Sequence, residues 1–158
     1  MTVRGQASFG PGVDDVGKRL IEELQQDGRR SYAALAKTVG LSEAAVRQRV
    51  QRMVDSGLMQ VVAVTDPLQV GFHRQAMIGL RVEGDLVRVA DELAKIDEVD
   101  YVVVTAGSFD LLVEAVCEDD DHLLELLNGR IRAIPTVRST ETFVYLKLRK
   151  QTYTWGTR

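Results

Sequence analysis

The chain has 158 residues, 45% of them hydrophobic, and a formal net charge of −3 with a pI near 5.4, which suits one large or two small globular domains. No apolar run approaches the ~20 residues that span a bilayer, and none follows the N-terminal charge, so neither a membrane span nor a secretory signal is expected. The single cysteine, Cys117, excludes an intramolecular disulfide, and the expected location is the cytoplasm, at the nucleoid.

Residues 1–13, with three glycines and a proline, read as a flexible tail. Asp14 and Asp15 open a first helix with a Val16, Leu20, Ile21 and Leu24 stripe, stopped by Gly28. Ser31 then caps a second helix with Leu35, Ala36 and Val39 inward, and Gly40 supplies a left-handed end. Leu41 plugs the turn. Ser42 caps a third helix with Glu43 in its first turn and Val46, Val50, Met53 and Val54 on its inner face. At roughly 100° per residue the opposite face carries Ala44, Arg47, Gln48, Gln51 and Arg52, with Arg49 at its edge. Beyond Gly57, the β-branched run Met59–Val64 predicts a strand or wing. Residues 14–64 thus read as a winged helix-turn-helix.

The outward face of the third helix has the chemistry of a major-groove reader. Ala44 and Ala45 let the backbone approach the groove floor, Arg47 and Arg52 match guanine, Gln48 and Gln51 match adenine, and Ser31, Ser42, Arg29, Arg30 and Lys37 suit phosphates. Residues 29–52 carry +5, which leaves −8 for the rest of the chain. Such segregation marks an anion-binding module fused to an acidic one. A solvated amphipathic helix pair is the plainer alternative, and the turn chemistry together with the charge segregation weighs against it.

Residues 65–74, with Pro67 and Gly71, read as a linker. Over 75–150 the pattern changes. Ala76, Ile78, Leu80 and Val82 alternate as a strand; Asp85 caps a helix bearing Leu86, Val89, Ala90 and Leu93. Val99–Thr105 and Phe109–Cys117 form two strands joined by Ala106-Gly107-Ser108. Asp119, Asp120 and Asp121 start a helix with Leu123, Leu124, Leu127 and Ile131 inward, and Pro135 breaks it. Arg138–Lys147 is the last strand, with Thr140, Thr142, Val144 and Leu146 on one face and Glu141, Phe143 and Tyr145 on the other. The order βαββαβ is the ferredoxin-like split unit, so the fold class is α+β. Two helices cover one face of its sheet, and the apolar second face calls for a second copy, a homodimer. In the tail 151–158, Tyr153 and Trp155 predict docking on this subunit or a neighbour.

The ordered set Asp15 to Gly28-Arg29, Leu35-Ala36…Val39-Gly40-Leu41-Ser42…Val46…Arg49-Val50…Gly57, Asp66-Pro67…Gly71, Gly107-Ser108-Phe109-Asp110 and Ile134-Pro135…Val137…Thr140…Thr142 resembles the Lrp/AsnC family of transcriptional regulators over roughly residues 14–150. The resemblance implies a DNA-binding transcription factor whose C-terminal, RAM/ACT-like domain dimerises and assembles further, commonly as a tetramer of dimers. It also implies a small effector, typically an amino acid, in a cleft between subunits, with Gly107, Ser108, Phe109, Asp110, Thr140 and Thr142 at the cleft positions. Ala106 and Thr136 depart from the family pattern.

Asp110 suits a ligand ammonium and equally a hairpin cap; Thr140 and Thr142 suit a ligand carboxylate and are also ordinary strand residues. The acidic run Glu118–Asp121 is better explained by helix capping than by a metal. Cys117, His73 and His122 have no ligand or nucleophile spacing, so no enzyme, cofactor or metal is expected. The leading reading is a sequence-specific regulator of double-stranded DNA that an effector switches, with Pro67–Gly71 as the hinge. Two other readings are a weakly specific architectural DNA-binding protein and a small-molecule-sensing regulatory subunit of an enzyme, the latter disfavoured by the +5 segment.

Overall fold

The computed structural model describes residues 13–158, so the tail expected over residues 1–13 lies almost wholly outside the described residues. The described residues form two compact units, residues 13–64 with 150–158, and residues 65–149.

Among the described residues the first unit holds three helices, α1 (Asp15–Gln26), α2 (Tyr32–Val39) and α3 (Glu43–Asp55). Each begins on a side-chain cap. Asp14 Oδ1 accepts from Gly17 N–H at 2.8 Å, and Ser31 and Ser42 Oγ accept from Ala34 and Ala45 N–H, each at 3.2 Å. Gly40 ends α2 at φ 70°, a left-handed position that would strain any residue with a Cβ. Leu20, Leu35, Ala36, Val46, Val50 and Met53 form the core, with Leu41 and Met59 packed against it. Val54, expected inside, is over a third exposed, because the buried seam centres on Val46, Val50 and Met53. Glu23 is buried yet ionised-paired, with Arg19 at 3.0 Å and with Arg30.

The expected wing is absent: residues 59–64 form no strand, and Val61, Val62 and Val64 are exposed. A strand needs a ladder partner, and among the described residues this unit has helices and no other strand.

The second unit has β1 (Arg74–Val82), α4 (Leu86–Leu93), β2 (Val99–Val104), β3 (Leu111–Cys117), α5 (Asp120–Glu125) and β4 (Val137–Val144). Its antiparallel sheet has the order β2-β3-β1-β4, the split βαββαβ arrangement. The residues assigned to a linker, 65–74, belong to this unit; Asp66 caps a short 3-10 turn, Pro67–Gln69. Alternation sends Ile78, Leu80, Leu111 and Val113 into one core with Val89, Leu93 and Leu126 of the helical layer. The opposite face presents Met77, Gly79, Leu112 and Phe143, as the register Met77↔Phe143 and Gly79↔Leu112 requires.

Three boundaries differ from expectation. After α5 the chain opens into a wide turn, Leu126–Ile131, in which Arg132 N–H donates to Leu127 O at 2.9 Å. Leu126 is therefore buried and Leu124 is 54% exposed, the reverse of the expected stripe, because the buried side of the helix centres on Leu123 and Leu126 and the i+5 closure returns Ile131 to it. β4 stops at Val144; one more bond, from Tyr145 N–H to Gln75 O at 2.8 Å, follows it before the chain leaves β1 and Leu146 is exposed. The third is the tail. It joins the first unit through polar bonds, Gly156 N–H to Gln25 Oε1 at 3.0 Å and Thr157 Oγ1 to Glu22 Oε1 at 2.8 Å. Tyr153 and Trp155 meet edge to face but stay exposed, so buried aromatic area is not what holds it.

His122 Nε2 lies 3.0 Å from Glu98 Oε1. That bond holds the histidine pKa above its ordinary 6.5 and Glu98 below its ordinary 4.5. Protonation forfeits the long bond from Glu118 N–H to Nδ1, and the attraction of Glu98, Glu118 and Asp119 outweighs it. The pair's stabilisation is whole between those two ordinary values, is lost as pH rises through the raised His122 pKa, and is lost at the acid end as Glu98 protonates. The melting-temperature advantage of wild type over His122→Gln should therefore shrink between about pH 6 and about pH 8, measured by thermal denaturation.

Candidate nucleic-acid interface

The packing of α3 decides what its other side can do. With Val46, Val50 and Met53 buried, Ala44, Arg47, Gln48, Gln51 and Arg52 are all exposed. Ala45 is half-buried behind them. Arg47 Nη2 lies 3.3 Å from Glu43 Oε1, and its guanidinium carbon lies 4.7 Å from the centroid of the Tyr32 ring. Gln51 Nε2 donates to Asp55 Oδ1 at 2.8 Å, and Arg52 Nε to Gln48 O at 3.4 Å. The polar partners, Glu43, Asp55 and Gln48, are exposed residues, so the donors can be released to a ligand without leaving a buried side chain unpaired.

Arg49, at the edge of this face, is committed elsewhere: Nη1 bonds the cap carboxylate of Asp14 at 2.7 Å and ties α3 to α1. The Gly17 amide and then Arg49 hold Asp14 below the usual carboxylate range. Arg29 and Lys37 are exposed. Ser31 and Ser42 accept backbone bonds as caps, which leaves each hydroxyl proton free to donate beside a helix N-terminus, a setting that favours phosphate. Arg30 departs from expectation, since its guanidinium pairs with the buried Glu23.

The six residues assigned to an effector are not brought together within one chain. Asp110 Oδ2 accepts from Val82 N–H at 2.8 Å, Asp110 N–H donates to Leu80 O, and Thr105 Oγ1 donates to Phe109 O at 2.6 Å. These bonds weld the loop to the end of β1, so Asp110 has the capping role in this chain. Gly107 and Ser108 are exposed. Phe109 lies on the open face of the sheet over Gly79, edge to face with Phe143 at 6.2 Å. Thr142 and Thr140 pair with Ile78 and Leu80 and so share their helix-covered face, where Thr140 Oγ1 accepts from Arg132 Nε at 2.9 Å. Period-2 alternation puts the two groups on opposite faces. A cleft of about 440 Å³ in the second unit, lined by Pro67, Val70, Phe72, Glu98, Asp100 and His122 among others, includes none of the six.

Residue-by-residue reading missed Tyr32, Glu23, Arg132 and Gly79. Only Gly79 carried a local signal: a glycine in a strand marks a close approach. Here an added Cβ would sit 2.6 Å from the Phe109 ring.

A three-helix unit with a cationic outward helix, followed by a split βαββαβ unit, defines a helix-turn-helix DNA-binding protein with a ferredoxin-like partner domain. Comparison with known proteins makes this specific. An AsnC-type helix-turn-helix domain matches residues 13–54, and a C-terminal dimeric alpha+beta barrel domain of AsnC-type regulators matches residues 72–158. An uncharacterised HTH-type transcriptional regulator of Pyrococcus furiosus is 34% identical over 146 residues, covering 91% of this chain and 96% of the relative. The solved structure of Escherichia coli AsnC matches at a TM-score of 0.75 and 26% identity, covering 91% of this chain and 99% of that one. A Neisseria meningitidis transcriptional regulator solved with L-methionine shares the fold, with a TM-score of 0.77 and 23% identity over 90% of this chain and 96% of that one.

The chain belongs to the AsnC family of transcriptional regulators. It is a regulator and not an enzyme, and the domain family of its second unit is a dimeric one. Among the described residues no helix is long and apolar enough to cross a membrane.

The bed that Gly79 gives Phe109 is testable. Gly79→Ala should displace the ring and destabilise the fold by about 1–3 kcal/mol, the usual cost of overpacking. Thermal unfolding reads the loss, and the aromatic proton shifts of Phe109 and Phe143 should move together.

Proposed function

We propose that this regulator binds double-stranded DNA sequence-specifically, with α3 lying in the major groove. The observation that carries the reading is the face of α3 itself: Ala44, Arg47, Gln48, Gln51 and Arg52 are exposed together, on a helix whose other side is core. Arg47, Gln48, Gln51 and Arg52 read base edges; Arg29, Lys37, Ser31 and Ser42 hold phosphates. Arg30 adds charge near the backbone while paired to Glu23. A homodimer through the second unit presents two such helices to half-sites about one helical turn apart, or a multiple of it.

The dimer's activity answers to a small effector, an amino acid, bound between subunits. Two features support this. The Gly107–Asp110 loop is anchored at the sheet's open face, the face an apolar partner sheet would cover, and Thr140 and Thr142 lie at the edge strand β4. A site drawing on both faces has to be completed by a second chain. The relative solved with L-methionine shares this fold. Assembly beyond the dimer, to a tetramer of dimers, gives the effector two assemblies to choose between, and a coupling of about 1–3 kcal/mol is the usual scale for such a choice.

Binding of the full chain to the DNA upstream of its own coding sequence, with and without a panel of amino acids and with mass followed by light scattering, tests both halves. Arg47→Ala and Arg52→Ala should each weaken specific binding by about 1–3 kcal/mol and relax the preference at one position. Lys37→Ala should weaken binding to all sequences alike and flatten the salt dependence by about one unit of slope. A ratio of specific to random-DNA affinity near one would instead indicate an architectural protein.

A further inference from the structure

We propose that Tyr32, on α2, is the positioning residue for Arg47, so that the base preference exercised by Arg47 is set partly from outside the reading helix. The inference rests on the reading of α3 given above and adds a specificity determinant to it.

The guanidinium of Arg47 is restrained on two sides. Its carbon lies 4.7 Å from the Tyr32 ring centroid, and its Nη2 lies 3.3 Å from Glu43 Oε1. Yet the Arg47 side chain is 63% exposed. An exposed arginine with no such contacts samples many rotamers, and holding one of them on a base costs that freedom. The ring is a firm support, since Tyr32 is the first residue of α2 and packs against the first unit's core. A cation over a ring face is attracted by the ring quadrupole, and this attraction uses none of the strong acceptors that the guanidinium donors need. A bidentate bond to guanine uses the donor-bearing edge, and the one bond of that edge among the described residues, from Nη2 to the exposed Glu43 carboxylate, can be exchanged for a base. Gln51 and Arg52, by contrast, make their side-chain hydrogen bonds, among the described residues, to groups of their own helix. Of the two cations central to that face, Arg47 and Arg52, Arg47 is the one that meets a second element among the described residues.

Tyr32 therefore matters for discrimination more than for overall affinity, which phosphate contacts supply. The ring face is the working part, so phenylalanine should replace it and an aliphatic side chain should not.

The full-length protein and its Tyr32→Leu, Tyr32→Phe and Arg47→Ala variants are each used to select from a randomised duplex pool at one salt concentration, and the bound fraction is sequenced. Arg47→Ala should erase the preference at particular base pairs. Tyr32→Leu should reduce the preference at those same base pairs by about two- to five-fold, leaving the others unchanged, and Tyr32→Phe should retain it. Tyr32→Met serves where Tyr32→Leu does not fold. If the aliphatic variants weaken all positions equally, or Tyr32→Phe fares no better than they do, Tyr32 is only a structural residue and the inference falls while Arg47 remains a reader. If Arg47→Ala leaves every preference intact, the reading of Arg47 itself falls, and the inference with it.

Discussion

The first unit depends on the seam where Val46, Val50 and Met53 of α3 close against Leu20 and Leu35. Each fully buried side chain of this size contributes roughly 1.5–3 kcal/mol relative to exposure, so turning α3 about its axis would cost several such terms at once. The orientation of Arg47, Gln48, Gln51 and Arg52 is a consequence of that closure and not a separate feature. The caps sharpen it: Ser42 fixes where α3 begins, Gly40 fixes where α2 ends, and Leu41 joins the core between them. The salt bridge from Arg49 to Asp14 then ties the edge of α3 to the start of α1. What points outward is what the apolar face leaves over.

The second unit applies the same logic with a period of two. Ile78, Leu80, Leu111 and Val113 are covered by helices, and the alternate residues Met77, Gly79, Leu112 and Phe143 form a face that neither helix of this unit covers. A dimeric family domain accounts for such a face, because two sheets brought together bury both. Phe109 on Gly79 makes the Gly107–Asp110 loop part of that surface. An effector that touches this loop therefore acts on an element already coupled to the sheet, and through the sheet to whatever covers it.

How much was legible in the amino-acid sequence follows the range of the interactions. The caps Asp14, Ser31, Ser42, Asp85 and Asp119 were readable because each bonds a backbone amide two or three residues away. The buried faces of α1 to α3, Val54 apart, and of β1 were readable from period alone. The wing was not, because β-branched residues at 61–64 signal a strand whether or not a partner strand exists. The stripe of α5 failed at Leu124 and Leu126, where a wide turn follows the helix and changes the period. The residues assigned to an effector share a sequence pattern but not a face, and only the strand register separates Phe109 from Thr140 and Thr142. Arg30 with Glu23, and the tail with Gln25 and Glu22, are pairings between distant parts of the chain that no local pattern announces.

The central claim is that the outward face of α3 lies in a groove of duplex DNA. The lone native thiol, Cys117, is buried, and burial pushes its pKa up to about 11, so it is inert to labelling. An iron chelate can therefore be attached at a single introduced site, Gln48→Cys, and made to cleave bound duplex. The account predicts two cleavage clusters about one helical turn apart, or a multiple of it, and their loss when the chelate is moved to Glu22→Cys on α1. Equal cleavage from both sites, or none above background from position 48 while the DNA stays bound, would contradict it.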